Sequence, residues 1–307
     1  MIAQVVRAWR EGASLCLATA AVGLPITIVY NVLFQAGVEL SIKASREPDW
    51  MAQTTSNSLF EGFRALCALL FVYAAFQLFK PSRKRSSWVP VLFLLPSLFL
   101  ALAFWFLAAR TGQVATAPAE QLFFTMAWSL LVQSFAGAVW IVGIVIAADA
   151  SRRGVSVHEA WRAMVARTAG VVEVVGTKAQ AVSIGLQLLV PGLYTAVIFA
   201  FAEFIAILDP SVERPLAQSR ELTKVARHTL FRLVLSYFIL MALGSLGVCM
   251  VLESGKVWMS SIFDPATPRV ETRYAITLVN GLTQWWFVMA NLALYRKRIA
   301  VIEASKG

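Results

Sequence analysis

Long apolar runs alternate along this chain with short arginine-rich stretches, and that alternation limits the fold to helices that cross a bilayer. The runs 88–109, 122–148 and 274–295 contain no charged residue. About 20 apolar residues suffice to cross the hydrocarbon core as a helix. Only 14% of the 307 residues are charged and 59% are hydrophobic, whereas soluble domains carry roughly a quarter charged residues. Nearly the whole chain is therefore expected within the membrane, with no stretch long enough for a soluble catalytic domain. The stretch 13–37 follows Arg7 and Arg10, is longer than a signal-peptide core and reads as a retained first span.

Further spans are predicted at 59–79, 88–109, 122–148, 229–252 and 274–295. The stretch 171–208 is split by Pro191-Gly192. A Pro-Gly pair removes a helical donor and admits a turn, so 178–208 is expected to enter the membrane and return as a short broken hairpin. The fold class is then all-α, a polytopic membrane protein of eight membrane helices forming a single domain over 1–307. Residues 1–148 make a four-helix N-terminal half, and 149–307 a C-terminal half with a candidate internal repeat. At an offset of 55 residues, Ser156-Val157 pairs with Ser211-Val212 and Thr168 with Thr223.

Charge sets the orientation. Cytoplasmic loops carry an excess of lysine and arginine. With the N-terminus inside and eight crossings, 19 of the 27 basic residues fall on the cytoplasmic side and seven outside. The net charge of +10 is then a cytoplasmic-face charge, and both termini are cytoplasmic. Nucleic acid is not an expected partner, because no basic domain interleaved with aromatics is present. The abundance of arginine and alanine points to a bacterial inner membrane. Cys16, Cys67 and Cys249 sit in apolar runs without CxxC spacing, which predicts free thiols packed among helices.

Two basic amphipathic segments flank the split stretch. In 156–175 an apolar stripe opposes His158, Glu159, Arg162 and Arg167, and Ser156 with Glu159 forms a capping-box pattern. In 211–224, Ser211 is a candidate cap, Pro215 falls in the first turn, and Arg214, Arg220, Glu221 and Lys224 surround an apolar side. Each is expected either to lie among headgroups or to connect spans by packing on the bundle. Arg162, Arg167, Arg220 and Lys224 are the candidate contacts for anionic headgroups or for a membrane-protein partner.

The run 209–224, Asp-Pro-Ser-Val-Glu-Arg-Pro-Leu-Ala-Gln-Ser-Arg-Glu-Leu-Thr-Lys, follows the Pro-Gly pair and leads into the span at 229. It resembles an acidic, short-turn, Ala-Leu-x-x-Ser-x-x-Leu-Thr signature. That signature belongs to the membrane domain of glycerophosphoryl diester phosphodiesterases and its related stand-alone bacterial membrane proteins. Leu216, Ser219, Leu222 and Thr223 fit, Pro215 stands where alanine is usual, and Val225 where glycine is common. The resemblance covers about 148–252. It implies a polytopic membrane fold of poorly defined role; without a hydrolase domain in these 307 residues it does not imply phosphodiesterase activity.

Polar side chains within spans mark the remaining candidates, because such groups are costly in lipid and face a bundle interior or a cavity. Thr277, Asn280, Gly281, Gln284 and Asn291 share about a third of one helix circumference. They would either glue helices together or line a ligand path, with Asn31, Gln35 and Gln133 as possible partners. Glu203 lies among apolar neighbours near the exit at Asp209; it reads either as paired with a cation such as Lys178 or Arg232 or as serving a proton- or substrate-linked role. Glu61 and Arg64 read as a local ion pair, and Gly244 and Gly247 as a close helix contact.

Catalytic and metal-ligating patterns are scarce. His158 and His228 lack HExxH-type spacing, and no GxSxG, phosphate-binding loop or dinucleotide turn occurs. No cofactor is expected. The leading expectation is a non-enzymatic membrane subunit that engages lipid or assembles a complex. A permease using the 178–208 hairpin and the polar stripe is the alternative, and an intramembrane lipid-modifying enzyme the second.

Overall fold

The computed structural model describes residues 2–46, 136–186, 190–253 and 268–305. Those residues are helical with turns between helices, and no strand occurs among them. The chain divides into two compact units, one of Met1–Gln35 with Gln133–Gly307 and one of Ala36–Val132. The second is described only over 36–46. The expected spans at 59–79 and 88–109, Cys67, Gln133 and the Glu61–Arg64 pair lie outside the described residues.

Helix α1 covers Ile2–Ala18 and α2 covers Ala20–Arg46. The stretch expected as one span over 13–37 is therefore two helices, bent by 96° at Thr19. Two local causes meet there. Thr19 turns its hydroxyl back onto the Leu15 carbonyl, 2.8 Å away, a bond that weakens the helix ladder. Pro25, in the second turn of α2, has no N–H to offer the carbonyl four residues before it. The bend lets α1 cross α9 closely at Gly12. A Cβ there would lie 2.7 Å from the Ala290 backbone nitrogen.

Helix α3 (Gly137–Arg153) is the described end of the 122–148 run. It stops at Gly154, whose φ of +66° is a left-handed conformation that costs glycine little. Ser156 and Glu159 then form the predicted capping box. Glu159 Oε2 accepts from the Ser156 N–H at 3.2 Å, and the Ser156 hydroxyl accepts from the Glu159 N–H at 3.3 Å. The helix they start, α4, runs unbroken over Val157–Leu186. The amphipathic segment and the first arm of the expected hairpin are thus one 30-residue helix. Val171, Val174 and Val175 are buried, so an apolar stripe continues through the join.

The second arm is interrupted where the sequence does not mark it. Pro191 and Gly192 sit in the first turn of α5 (Val190–Ile198), where a missing N–H costs nothing. Helices α4 and α5, which pack on each other, are thus separate on either side of the expected break, and the chain leaves helix again at 199–201 before resuming as α6 (Ala202–Leu208). Helix α7 (Pro215–Thr223) begins at Pro215, preceded by Arg214 without a side-chain cap. Ser211 bonds Asp209 instead of capping. Helices α8 (Arg227–Glu253) and α9 (Val270–Ala304) follow, both longer than the predicted spans.

Pro191–Leu208 and Arg227–Glu253 are long and apolar enough to cross a membrane, and the bent α1–α2 pair makes a third if it counts as one span. Helix α9 has the length, but the polar stripe of residues 277–291 lowers its hydropathy. It packs against α1 and α8, while α3 and α5 both pack against α4. The centre is filled by Phe201 of the 199–201 interruption and Phe204, Ile205 and Ile207 of α6, with Ile144 and Val145 of α3, Leu230 of α8, and Met289 and Leu292 of α9. In lipid such contacts hold helices by dispersion and close fit rather than by expelling water. Cys249 is buried and Cys16 half-buried, both as free thiols.

Candidate functional site

The interruption between α5 and α6 is the most constructed feature of the described residues. An irregular backbone buried among helices needs partners for the N–H and C=O groups it frees. Helix α7 supplies them. Ser219 is fully buried; its hydroxyl donates to the Ile198 carbonyl at 2.9 Å and accepts from the Phe201 N–H at 3.2 Å. Thr223, also fully buried, reaches the same carbonyl at 3.4 Å. These are two of the four positions that carried the family resemblance, and here they clamp a broken helix. Replacing Ser219 with alanine strands a buried donor and acceptor. A loss of about 1–3 kcal/mol is expected, read as a lowered unfolding midpoint in detergent, and an unchanged midpoint would show that the clamp contributes nothing.

Glu203 stands in the first turn of α6, two residues past the interruption. Its side chain is 9% exposed and forms an ion pair and hydrogen bond with Lys178 of α4, 21% exposed. Of the two cations expected as partners, Lys178 is the one used. Because α4 is continuous through 178, the lysine is delivered to the carboxylate by the helix that the capping box begins.

The polar stripe of α9 is mostly engaged with neighbouring helices. Thr277 donates to Gln35 Oε1 at 2.6 Å, and Asn280 exchanges hydrogen bonds with Ser245 of α8 at 3.3 Å. Gly281 receives the Asn31 side chain so closely that a Cβ would lie 2.1 Å from its amide nitrogen. Asn31 and Gln35 are thus the expected partners, and the stripe fastens α2 and α8 to α9. Gln284 is half-buried. Asn291 is buried, its Nδ2 donating to the Phe287 carbonyl at 3.1 Å while its Oδ1 has no partner. Gly244 does mark a close approach, to Val279, whereas nothing lies within 4 Å of a Cβ at Gly247. Aromatic contacts reinforce the same joints. Trp9 meets Trp286 edge-on at 4.8 Å, and Tyr30 stacks on Trp140 at 5.3 Å. Sequence patterning does not single these pairs out.

Basic side chains from separate helices converge at one end of this unit. Arg296, after the apolar part of α9, lies 3.8 Å from Asp149 near the end of α3, and Arg153 also pairs with Asp149. Lys297 bonds Glu11 of α1 at 2.6 Å. Arg167, a candidate headgroup contact, is half-buried and donates to the Ile207 carbonyl at the end of α6. Lys224 pairs with Glu221, and Arg162 and Arg220 are exposed. At the other end of α8, Glu253 accepts from Thr272 at 2.7 Å and from the Arg269 N–H at 3.0 Å, tying the start of α9. Among the described residues no group of three or more metal-ligating side chains occurs. Compared with known proteins, the chain matches no family model, no curated protein and no solved structure.

Proposed function

We propose that this chain is a non-enzymatic integral protein of a bacterial inner membrane. In this reading it crosses eight times with both termini cytoplasmic, and it serves as a lipid-interacting or assembly subunit. The observation that carries the reading is a division of polar groups. Several of those inside the helix unit are spent on one another, as in Glu203–Lys178, Asn280–Ser245 and Thr277–Gln35. Cationic groups meet at the junction of α3 and α9 and stand exposed on α4 and α7. A paired interior supports packing rather than chemistry, and these cations support contact with anionic headgroups or with an acidic surface of a membrane partner. The signature resemblance of residues 209–224 agrees with a membrane module of this kind.

The test is lipid analysis of the protein extracted from its own membrane. Anionic phospholipid is expected at several times its bulk share, and charge reversal at Arg162 and Arg220 should reduce that share. One observation favours a permease as the second reading: the span Pro191–Leu208 is broken beside an acid, as discontinuous helices are in transporters. Bulk-like lipid together with a solute flux in proteoliposomes that Glu203→Gln abolishes would replace the first reading with the second.

A further inference from the structure

The meeting of α3 and α9 holds more positive charge than its own carboxylate can balance. Asp149 is the acid that faces the group, and it is shared by Arg153 and Arg296. Arg152 acts on Arg296 electrostatically along with Arg153. Two guanidinium groups thus share one carboxylate, and Arg152, the chain neighbour of Arg153, adds to the positive charge around Arg296. Arg296 is the anchor, its side chain 17% exposed. Its Nη2 is 3.8 Å from Asp149 Oδ1, beyond hydrogen-bond reach, and has no hydrogen-bond partner. Burial, more than its two arginine neighbours, holds its pKa below the ordinary arginine value, against the opposing pull of Asp149. A buried guanidinium N–H group without a hydrogen-bond partner is costly to keep. A planar fork of donors suits a phosphate, which can accept two parallel bonds from it.

We propose that Arg296, with Arg152 and Arg153, forms a phosphate site at the junction of α3 and α9, filled by the phosphate of a lipid headgroup or by a soluble phosphate. The anion accepts from the Arg296 Nη2 that has no partner and neutralises the excess charge. Arg152 and Arg153, both exposed, form the approach to it. The site deepens the lipid-contact reading and rests on it for the headgroup as source. It is distinct from Arg162 and Arg220, which that reading places at the surface, and from Arg167 and Lys224, which already have partners.

The test uses the full chain in a neutral detergent and follows its thermal unfolding midpoint. It is titrated with short-chain phosphatidylglycerol, with the matching phosphatidylcholine, and with inorganic phosphate. A ligand that binds only the folded protein raises the midpoint saturably. Phosphatidylglycerol is expected to do so and phosphatidylcholine to do less. Arg296→Gln should weaken the response about ten-fold or more, the scale of one lost charge-assisted hydrogen bond. Arg152→Gln, at an exposed position, should weaken it in the same direction and guards against a folding defect at Arg296. Full responses in both variants, with loss in Arg162→Gln/Arg220→Gln instead, would overturn the site and leave the lipid reading standing. A response to inorganic phosphate equal to that to lipid, abolished by Arg296→Gln, supports the site and assigns it a soluble phosphate. No response of the wild-type protein to any of the three overturns the site.

Discussion

Lys178→Met is expected to destabilise the protein by about 3–5 kcal/mol, because it leaves the Glu203 carboxylate buried without its cation. Both side chains are largely shielded, at 9% and 21% exposure, so solvent screening gives little relief. The measurement is denaturant unfolding in detergent, comparing Lys178→Met, Glu203→Gln and the double variant. Glu203→Gln should cost less, since it removes the charge that needs pairing and keeps a hydrogen-bond acceptor. The double variant should recover much of the loss, as replacing both partners of a buried pair is often close to neutral. Additive losses in the three variants would mean the two side chains do not interact. The same series bears on function. A structural pair predicts that activity of any kind follows stability, whereas a transport role predicts a functional loss in Glu203→Gln out of proportion to its stability.

The second large effect is expected at Gly12. A Cβ there meets the Ala290 backbone nitrogen at 2.7 Å and Cα at 2.9 Å, and backbone cannot give way as a flexible side chain can. Gly12→Ala should therefore push α1 off α9, at a cost of about 1–3 kcal/mol, with Gly12→Leu worse. The displacement strains the contacts that flank the crossing. These are the Trp9 indole N–H to Ser236 at 2.9 Å, the Trp286 indole N–H to the Trp9 carbonyl at 2.7 Å, and Lys297–Glu11 at 2.6 Å. A cysteine pair across α1 and α9 would report it as lost crosslinking. Retained crosslinking and an unchanged unfolding midpoint in Gly12→Leu would show that this crossing is not close. Gly170, with nothing within 4 Å of a Cβ, is the matched control, where alanine should be neutral or slightly favourable.

Both effects arise where helices meet, and the sequence shows such places unevenly. The Asn31–Gly281 and Gln35–Thr277 contacts were legible, because a polar or small residue in an apolar run has few options other than another helix. Lys178 was legible as a partner for Glu203 on the same grounds. Gly12 was not, since a glycine in a helical stretch looks the same whether or not another backbone passes it. Ser219 and Thr223 were visible as a signature but not as a clamp, because the groups they satisfy lie 18 to 25 residues away.

What the sequence determined by itself is the class of structure, all-helical with membrane-crossing helices. Helices long enough to cross a membrane, the Ser156 capping box and the use of Pro215 at a helix start all follow from local chemistry within a few residues. Tertiary structure decided where helices stop and bend. Pro191-Gly192 fell at the beginning of α5, just past the end of α4, and a further interruption at 199–201 is held where α7 brings hydroxyls to the backbone groups a break exposes. A proline or a threonine gives the chain permission to depart from a helix, and partners supplied from elsewhere in the fold decide which permission is taken.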